Sequence, residues 1–347
     1  MKNGAKFSLA LLLVGQQGIA DAEFSTRSYA WIVMTSLALV PDSGLVARTI
    51  EIEFEPNLLA LLPASDSLAW VQGPVGSQSG AVGWGEIERQ EFHGPERFSR
   101  AQKFWSTWCE QNAQTQAVAF TSFAFASDSG ESVLIVPEIT IRNNGNSTYL
   151  TVIGAREQLD HLVAHAKMEV AQNKERIASL PNISWHDGTR STTQWQKSVE
   201  EAVSRINHGE LDKVVLARDI FAQATDSIDL GLLLMRLNHI FPDCWTFNVA
   251  GLIGATPELL LRRAGDSVTS RVLAGTVRRS SDTNRDDALA AALLDSAKDQ
   301  EEHEYAVASV QAALAPHCTD LTIPESPEVL QLANVQHLAT DITGQLA

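Results

Sequence analysis

Apolar positions change their spacing several times along this chain, and each change predicts a different element. From residue 44 to 154 short apolar runs are divided by turn-forming Gly, Pro, Asn and Asp, a pattern that reads as strand. Alternation marks Leu45-Val46-Ala47-Arg48-Thr49-Ile50-Glu51-Ile52, and the runs Leu68-Ala69-Trp70-Val71 and Ala81-Val82-Gly83-Trp84 flank the turn Gly73-Pro74-Val75-Gly76-Ser77. Residues 117–126, 132–142 and 147–153 are expected as consecutive antiparallel strands, with turns at Asp128-Ser129-Gly130 and Asn143-Asn144-Gly145-Asn146. Between them in character is 97–110, expected as a helix whose Phe98, Phe104, Trp105 and Trp108 mark a packing face.

Further on, 156–180 has a helical composition, 181–190 reads as a polar connector, and 192–207 is helical with Val199, Ala202, Val203 and Ile206 on one face. Strands are expected at 213–221, 244–252, 258–263 and 268–273. One long helix is expected from Arg285 to the stop at Pro316, with no Gly or Pro inside it. Leu293, Leu294, Ala297, Val307 and Val310 would supply its buried side. Asp295, Asp299 and Glu302, spaced by four and three, would share a face. A last apolar stretch covers 331–342. Strand groups alternating with helix groups predict an α+β fold of two packed, antiparallel-rich sheets flanked by helices. The expected divisions are an atypical N-terminal extension at 1–43, a strand-rich region at 44–180 and a catalytic region at 191–347.

Composition narrows the function. The 347 residues carry a formal charge of −16, so the chain lacks the clustered Lys and Arg that nucleic acid or an anionic membrane surface requires. The three cysteines, Cys109, Cys244 and Cys318, are far apart and have no metal-ligand spacing, which fits a reducing compartment, the cytoplasm. No apolar run is long enough to span a bilayer. At the N-terminus, Lys2 and Lys6, the run Phe7 to Val14 and Ala20-Asp21-Ala22 imitate a secretory signal. The competing expectation is that translation starts at Met34, ahead of Thr35-Ser36-Leu37.

Several residues are chemically suggestive. Carboxylates on a rigid helix suit a hard cation such as Mg²⁺, although a solvated acidic face has the same pattern. Lys213 heads the apolar run Lys213-Val214-Val215-Leu216-Ala217. On the inner face of a strand its pKa would fall and it would serve as a base; at a strand end it would reach water instead. Glu258 precedes three leucines, where desolvation would keep a carboxyl protonated, unless it faces solvent on an edge. The Gly in Leu273-Ala274-Gly275-Thr276 lets backbone N–H groups approach a ligand or simply makes a turn. His337 is a lone histidine among apolar residues, commonly a satisfied core residue. No His-Glu-x-x-His spacing of a metallohydrolase occurs.

Taken in order, Asp212-Lys213-Val214-Val215-Leu216-Ala217-Arg218, Ala255-Thr256-Pro257-Glu258, Leu273-Ala274-Gly275-Thr276, Ser296-Ala297-Lys298-Asp299-Gln300-Glu301-Glu302-His303 and Val335-Gln336-His337-Leu338 resemble the chorismate-utilising enzymes. The resemblance runs from about Gly44 to the C-terminus and is strongest to the isochorismate synthase branch. It implies that Lys213 activates water for attack on C2 of chorismate and that Glu258 protonates the departing C4 hydroxyl. It further implies that Ala274, Gly275, Thr276 and His337 hold substrate, and that Glu302, with Asp299 nearby, binds Mg²⁺. A cytoplasmic monomer in menaquinone or siderophore biosynthesis is expected, with salicylate synthase as the alternative product class. Members of the family continue roughly a hundred residues beyond the equivalent of Ala347. On that comparison the chain is expected to be C-terminally incomplete, with open sheet edges, and a non-catalytic remnant or binding protein is the other reading.

Overall fold

In the computed structural model, residues 8–14, 44–53, 57–127, 131–171, 181–211 and 213–347 are described. Met34, the turn at Asp128-Ser129-Gly130 and the end of the helix expected at 156–180 lie outside them. The fold is α+β, and every described strand pair is antiparallel.

The strands sort into four sheets. A seven-stranded sheet runs Leu252–Thr256, Trp245–Val249, Ser67–Gln72, Ser79–Trp84, Ile139–Asn143, Thr148–Ala155, Leu45–Ile52. It therefore takes strands from both sides of the 181–190 connector. A four-stranded sheet runs Ser8–Val14, Val118–Ala124, Ser132–Val136, Glu88–Phe92. Ser8–Val14, part of the expected N-terminal extension, thus pairs with Val118–Ala124 along its whole length. Phe120, Val118, Leu68, Ala81 and Val249 fill the space between these two sheets.

The segment expected as one strand at 132–142 is two strands in two sheets. Pro137 cannot donate to a ladder, so pairing stops there. The corner is pinned on both sides: Ile87 N–H donates to the Val136 carbonyl and Ile153 N–H to the Glu138 carbonyl, each at 2.9 Å. A Cβ on Gly83 would lie 2.8 Å from Pro137 Cγ, so only glycine fits beneath the ring.

Helices cover the outer faces. Helix α1, Arg97–Gln111, packs Trp105 and Trp108 on the four-stranded sheet, their rings stacked at 5.4 Å. Phe98 is exposed, with its ring 4.5 Å from Phe123. Helix α2, Leu159–Ala171, buries Leu159, Val163 and Ala166 on the seven-stranded sheet. Helix α3, Thr192–Asn207, starts with a capping box between Ser191 and Gln194 but has no buried residue. Helix α4, Leu230–Ile240, buries Leu234 against the same sheet as α2.

The connector at 181–190 contains a strand, Ile183–Asp187, that pairs with Ile220–Ala224 in a two-stranded sheet. The strand expected at 213–221 begins only at Ile220.

The fourth sheet positions the candidate site. It runs Leu259–Ala264, Ser267–Arg278, Val335–Leu346, Cys318–Thr322, with Glu328–Gln331 also on Val335–Leu346. The single long helix expected here is two: α5, Thr283–Leu294, and α6, Ala297–Leu314. Ser296 divides them because its Oγ accepts from Asp299 N–H as the N-cap of α6, which competes with continuing the first helix. Asp295 is consequently the C-cap of α5 and does not share a helical face with Asp299 and Glu302. Of the five residues expected on the buried side, Leu293 is buried, Val307 and Val310 are half-buried, and Leu294 and Ala297 are exposed.

Candidate active site

The long strand Ser267–Arg278 pairs with Val335–Leu346 in a continuous register until Ala274, which faces Leu338; Thr276 then faces His337. Gly275 is the extra residue, a β-bulge that re-aims its neighbours. Its φ is +76°, and a Cβ would lie 3.1 Å from Asp299 Cβ and 3.3 Å from Leu338 Cδ1. Both the backbone conformation and the close approach of α6 therefore demand glycine. After the bulge, Thr276 Oγ1 and His337 Nδ1 are hydrogen-bonded at 2.9 Å. Burial holds the His337 imidazole below its ordinary pKa, opposed by a hydrogen bond with the Gly275 backbone.

Helix α6 brings the carboxylates. Glu302 Oε1 is 3.7 Å from Lys213 Nζ, and the same ammonium is 3.4 Å from the Glu302 carbonyl oxygen. The Asp299 carboxylate accepts from Ser296 Oγ at 2.5 Å and so closes its own helix cap. His303 is buried, with Nδ1 3.3 Å from the Ala274 carbonyl and Nε2 2.7 Å from Thr340 Oγ1.

The expected residues therefore form two contacting groups. Lys213 meets Glu302, while Ala274, Gly275, Thr276 and His337 meet one another, with Asp299 against Gly275. Glu258 stands apart: among the described residues no hydrogen bond or ion pair joins its carboxylate to either group, and Thr256 Oγ1 accepts from its backbone N–H. Its side chain is exposed, yet adjoining protein desolvates the carboxyl enough to raise its pKa.

Lys213 does not lie on the inner face of a strand. It and Val214, Val215 and Leu216 are exposed coil, Val215 at 80%. A strand needs a partner edge, and 213–219 has none among the described residues. The burial that the sequence reading required for this amine is absent.

Among the described residues no three His, Cys, Asp or Glu side chains gather to hold a metal ion. Glu302 is engaged by an ammonium and Asp299 by Ser296. Glu302 and Asp299, both engaged and both from one helix, do not by themselves fit a resident Mg²⁺ held by protein groups alone.

His303 is the residue to which the sequence reading gave no role. The signal was present: His303, Val307, Val310 and Leu314 follow helical spacing, which puts the imidazole on the buried stripe of α6. A cleft of about 410 Å³ between the seven- and five-stranded sheets is lined by Gln72, Asp243, Pro257, Arg271 and Leu332, among others, but by none of the expected site residues.

The sequence profile described as chorismate binding enzyme matches residues 64–347. The chain belongs to the chorismate-binding enzyme family. It is 31% identical over 297 residues to the salicylate biosynthesis isochorismate synthase of Pseudomonas aeruginosa, covering 76% of this chain and 60% of that protein. It is 37% identical over 164 residues to the isochorismate synthase DhbC of Bacillus subtilis, covering 44% of this chain and 41% of that one. The solved structure of MenF, the menaquinone-specific isochorismate synthase from Escherichia coli, aligns with a TM-score of 0.64 at 26% identity, over 86% of this chain and 71% of that one. This member of the family thus spans less than two thirds of the length of these two curated relatives. Among the described residues no helix is long and apolar enough to cross a membrane.

Proposed function

We propose that this chain is the chorismate-handling part of an isochorismate synthase. The observation that carries the reading is the 31% identity over 297 residues to an isochorismate synthase. The contact between Lys213 and Glu302 and the Thr276–His337 pair beside a glycine bulge supply matching chemistry.

In this reading an isomerisation moves a hydroxyl from C4 to C2. Lys213, as the free amine, takes a proton from water as the water oxygen bonds to C2. The ring double bond shifts, the C4–O bond breaks, and Glu258 gives its proton to the departing hydroxyl, which leaves as water. A raised pKa on Glu258 favours the protonated carboxyl that this step needs. The turn Ala274-Gly275-Thr276 and His337 hold the substrate.

The test is incubation of the protein with chorismate and Mg²⁺, followed by chromatography, absorbance and mass. A separated product of unchanged mass supports isochorismate. Salicylate selects the alternative product class. Saturable chorismate binding without conversion selects the binding-protein reading. Neither conversion nor binding would overturn all three.

A further inference from the structure

His303 sits one residue beyond Glu302 and is 2% exposed. A carbonyl oxygen only accepts, so the contact with Ala274 requires the proton on Nδ1. Burial disfavours the charged ring. Nε2 is then the acceptor for the Thr340 hydroxyl at 2.7 Å. One imidazole thereby spends both nitrogens on the two strands that carry the candidate site, from the helix that carries Glu302.

The contact with Ala274 has a stereochemical result. The C=O and N–H of one planar trans peptide point in opposite directions. With the Ala274 carbonyl drawn toward His303 and α6, the N–H of Gly275 is turned away from α6. Gly275 is the bulged residue and has no partner in the ladder register. Along Val335–Leu346, Leu338 and Thr340 are buried on the α6 side, and strand alternation puts His337 on the other face. That face is where Thr276 meets His337.

We propose that His303 is a positioning residue: it sets the plane of the Ala274–Gly275 peptide so that the Gly275 N–H faces the Thr276–His337 side as a donor for a substrate carboxylate. The substrate half of this inference rests on the chorismate reading given above; the peptide half does not. A donor held in place before the ligand arrives needs no reorganisation on binding, and a hydrogen bond to a charged oxygen is stronger than one between neutral groups.

Labelling alanine carbonyls with ¹³C and glycine nitrogens with ¹⁵N selects only the peptides Ala250–Gly251, Ala264–Gly265 and Ala274–Gly275. His303→Leu should shift the Ala274–Gly275 signal and leave the other two in place. His303→Asn, whose amide donates from near the Nδ1 position, should restore much of the signal. Thr340→Val, which frees the ring at Nε2, should move the signal the same way as His303→Leu and carries the test if that variant does not fold. Equilibrium dialysis against chorismate should show binding weakened about tenfold in His303→Leu and recovered in His303→Asn. An unmoved signal in a folded His303→Leu protein overturns the proposal, as does a moved signal with unchanged chorismate affinity. Absence of chorismate binding by the unaltered protein overturns the functional reading and the substrate half with it, while the signal still decides the peptide half.

Discussion

Among the described residues the Lys213 ammonium has two polar partners, the carboxylate and the carbonyl of Glu302 on α6. With side chains 33% and 37% exposed, this pair is worth about 0–1 kcal/mol to stability. Lys213→Ala should leave the urea midpoint nearly unchanged and, in a protein that turns over chorismate, lower kcat by about 10²- to 10⁴-fold. Near-normal turnover would remove Lys213 as the base. Acid stability rests on different residues. Asp219 accepts from the backbone and hydroxyl of Thr189. Asp286 accepts from Ser280 N–H and Arg279, and Asp341 pairs with Arg271. All three carboxyls are held below their ordinary pKa. The unfolded chain therefore binds more protons once the pH enters the ordinary carboxylate range near about 4, and stability drops there. Their contribution is complete above that range. Thermal unfolding should show a midpoint that is flat in this respect above about pH 5 and declines below about pH 4. Asp219→Asn should make the decline shallower.

Helix α6 exists as a separate element because of one hydroxyl. Ser296 Oγ lies 3.3 Å from Asp299 N and donates to its carboxylate. Ser296→Ala should cost about 1 kcal/mol by urea unfolding, and a loss of nothing would mean that α5 and α6 are divided by packing alone. The same chemistry explains what the sequence made readable. In α3 the Ser191-to-Gln194 box and a polar connector bracket the helix, and its range agrees with the periodicity at both ends. Ser296 had the same Ser-x-x-acid spacing, but the unbroken run of helix formers around it masked the boundary. Pairing is the other blind spot. Residues 213–219 have a strand's composition without a partner, while 183–187 looked polar and found one. Single-chain periodicity carries no information on whether an edge is available.

Across the molecule, the α+β class and antiparallel pairing were legible from alternation and turns. The sorting into four sheets was not, because it is decided by corners such as Pro137 and by long-range edges. Of the candidate stretches read as ordered motifs, those around Ala274, Glu302 and His337 come together, with His303 as the unanticipated link. Among the described residues no hydrogen bond or ion pair joins the Glu258 carboxylate to them, and the lysine-bearing stretch is exposed. The carboxylates predict the metal response of the whole chain. Titration of Mg²⁺ into ligand-free protein should give no saturable binding below about 1 mM; a micromolar site would mean that donors outside those described complete it. The four-stranded and seven-stranded sheets meet at Pro137–Glu138, with backbone bonds on either side and a glycine pressed under the ring. Two residues hold no slack. A load on either layer passes straight to the other, and the pair should shear as a single block instead of peeling apart strand by strand.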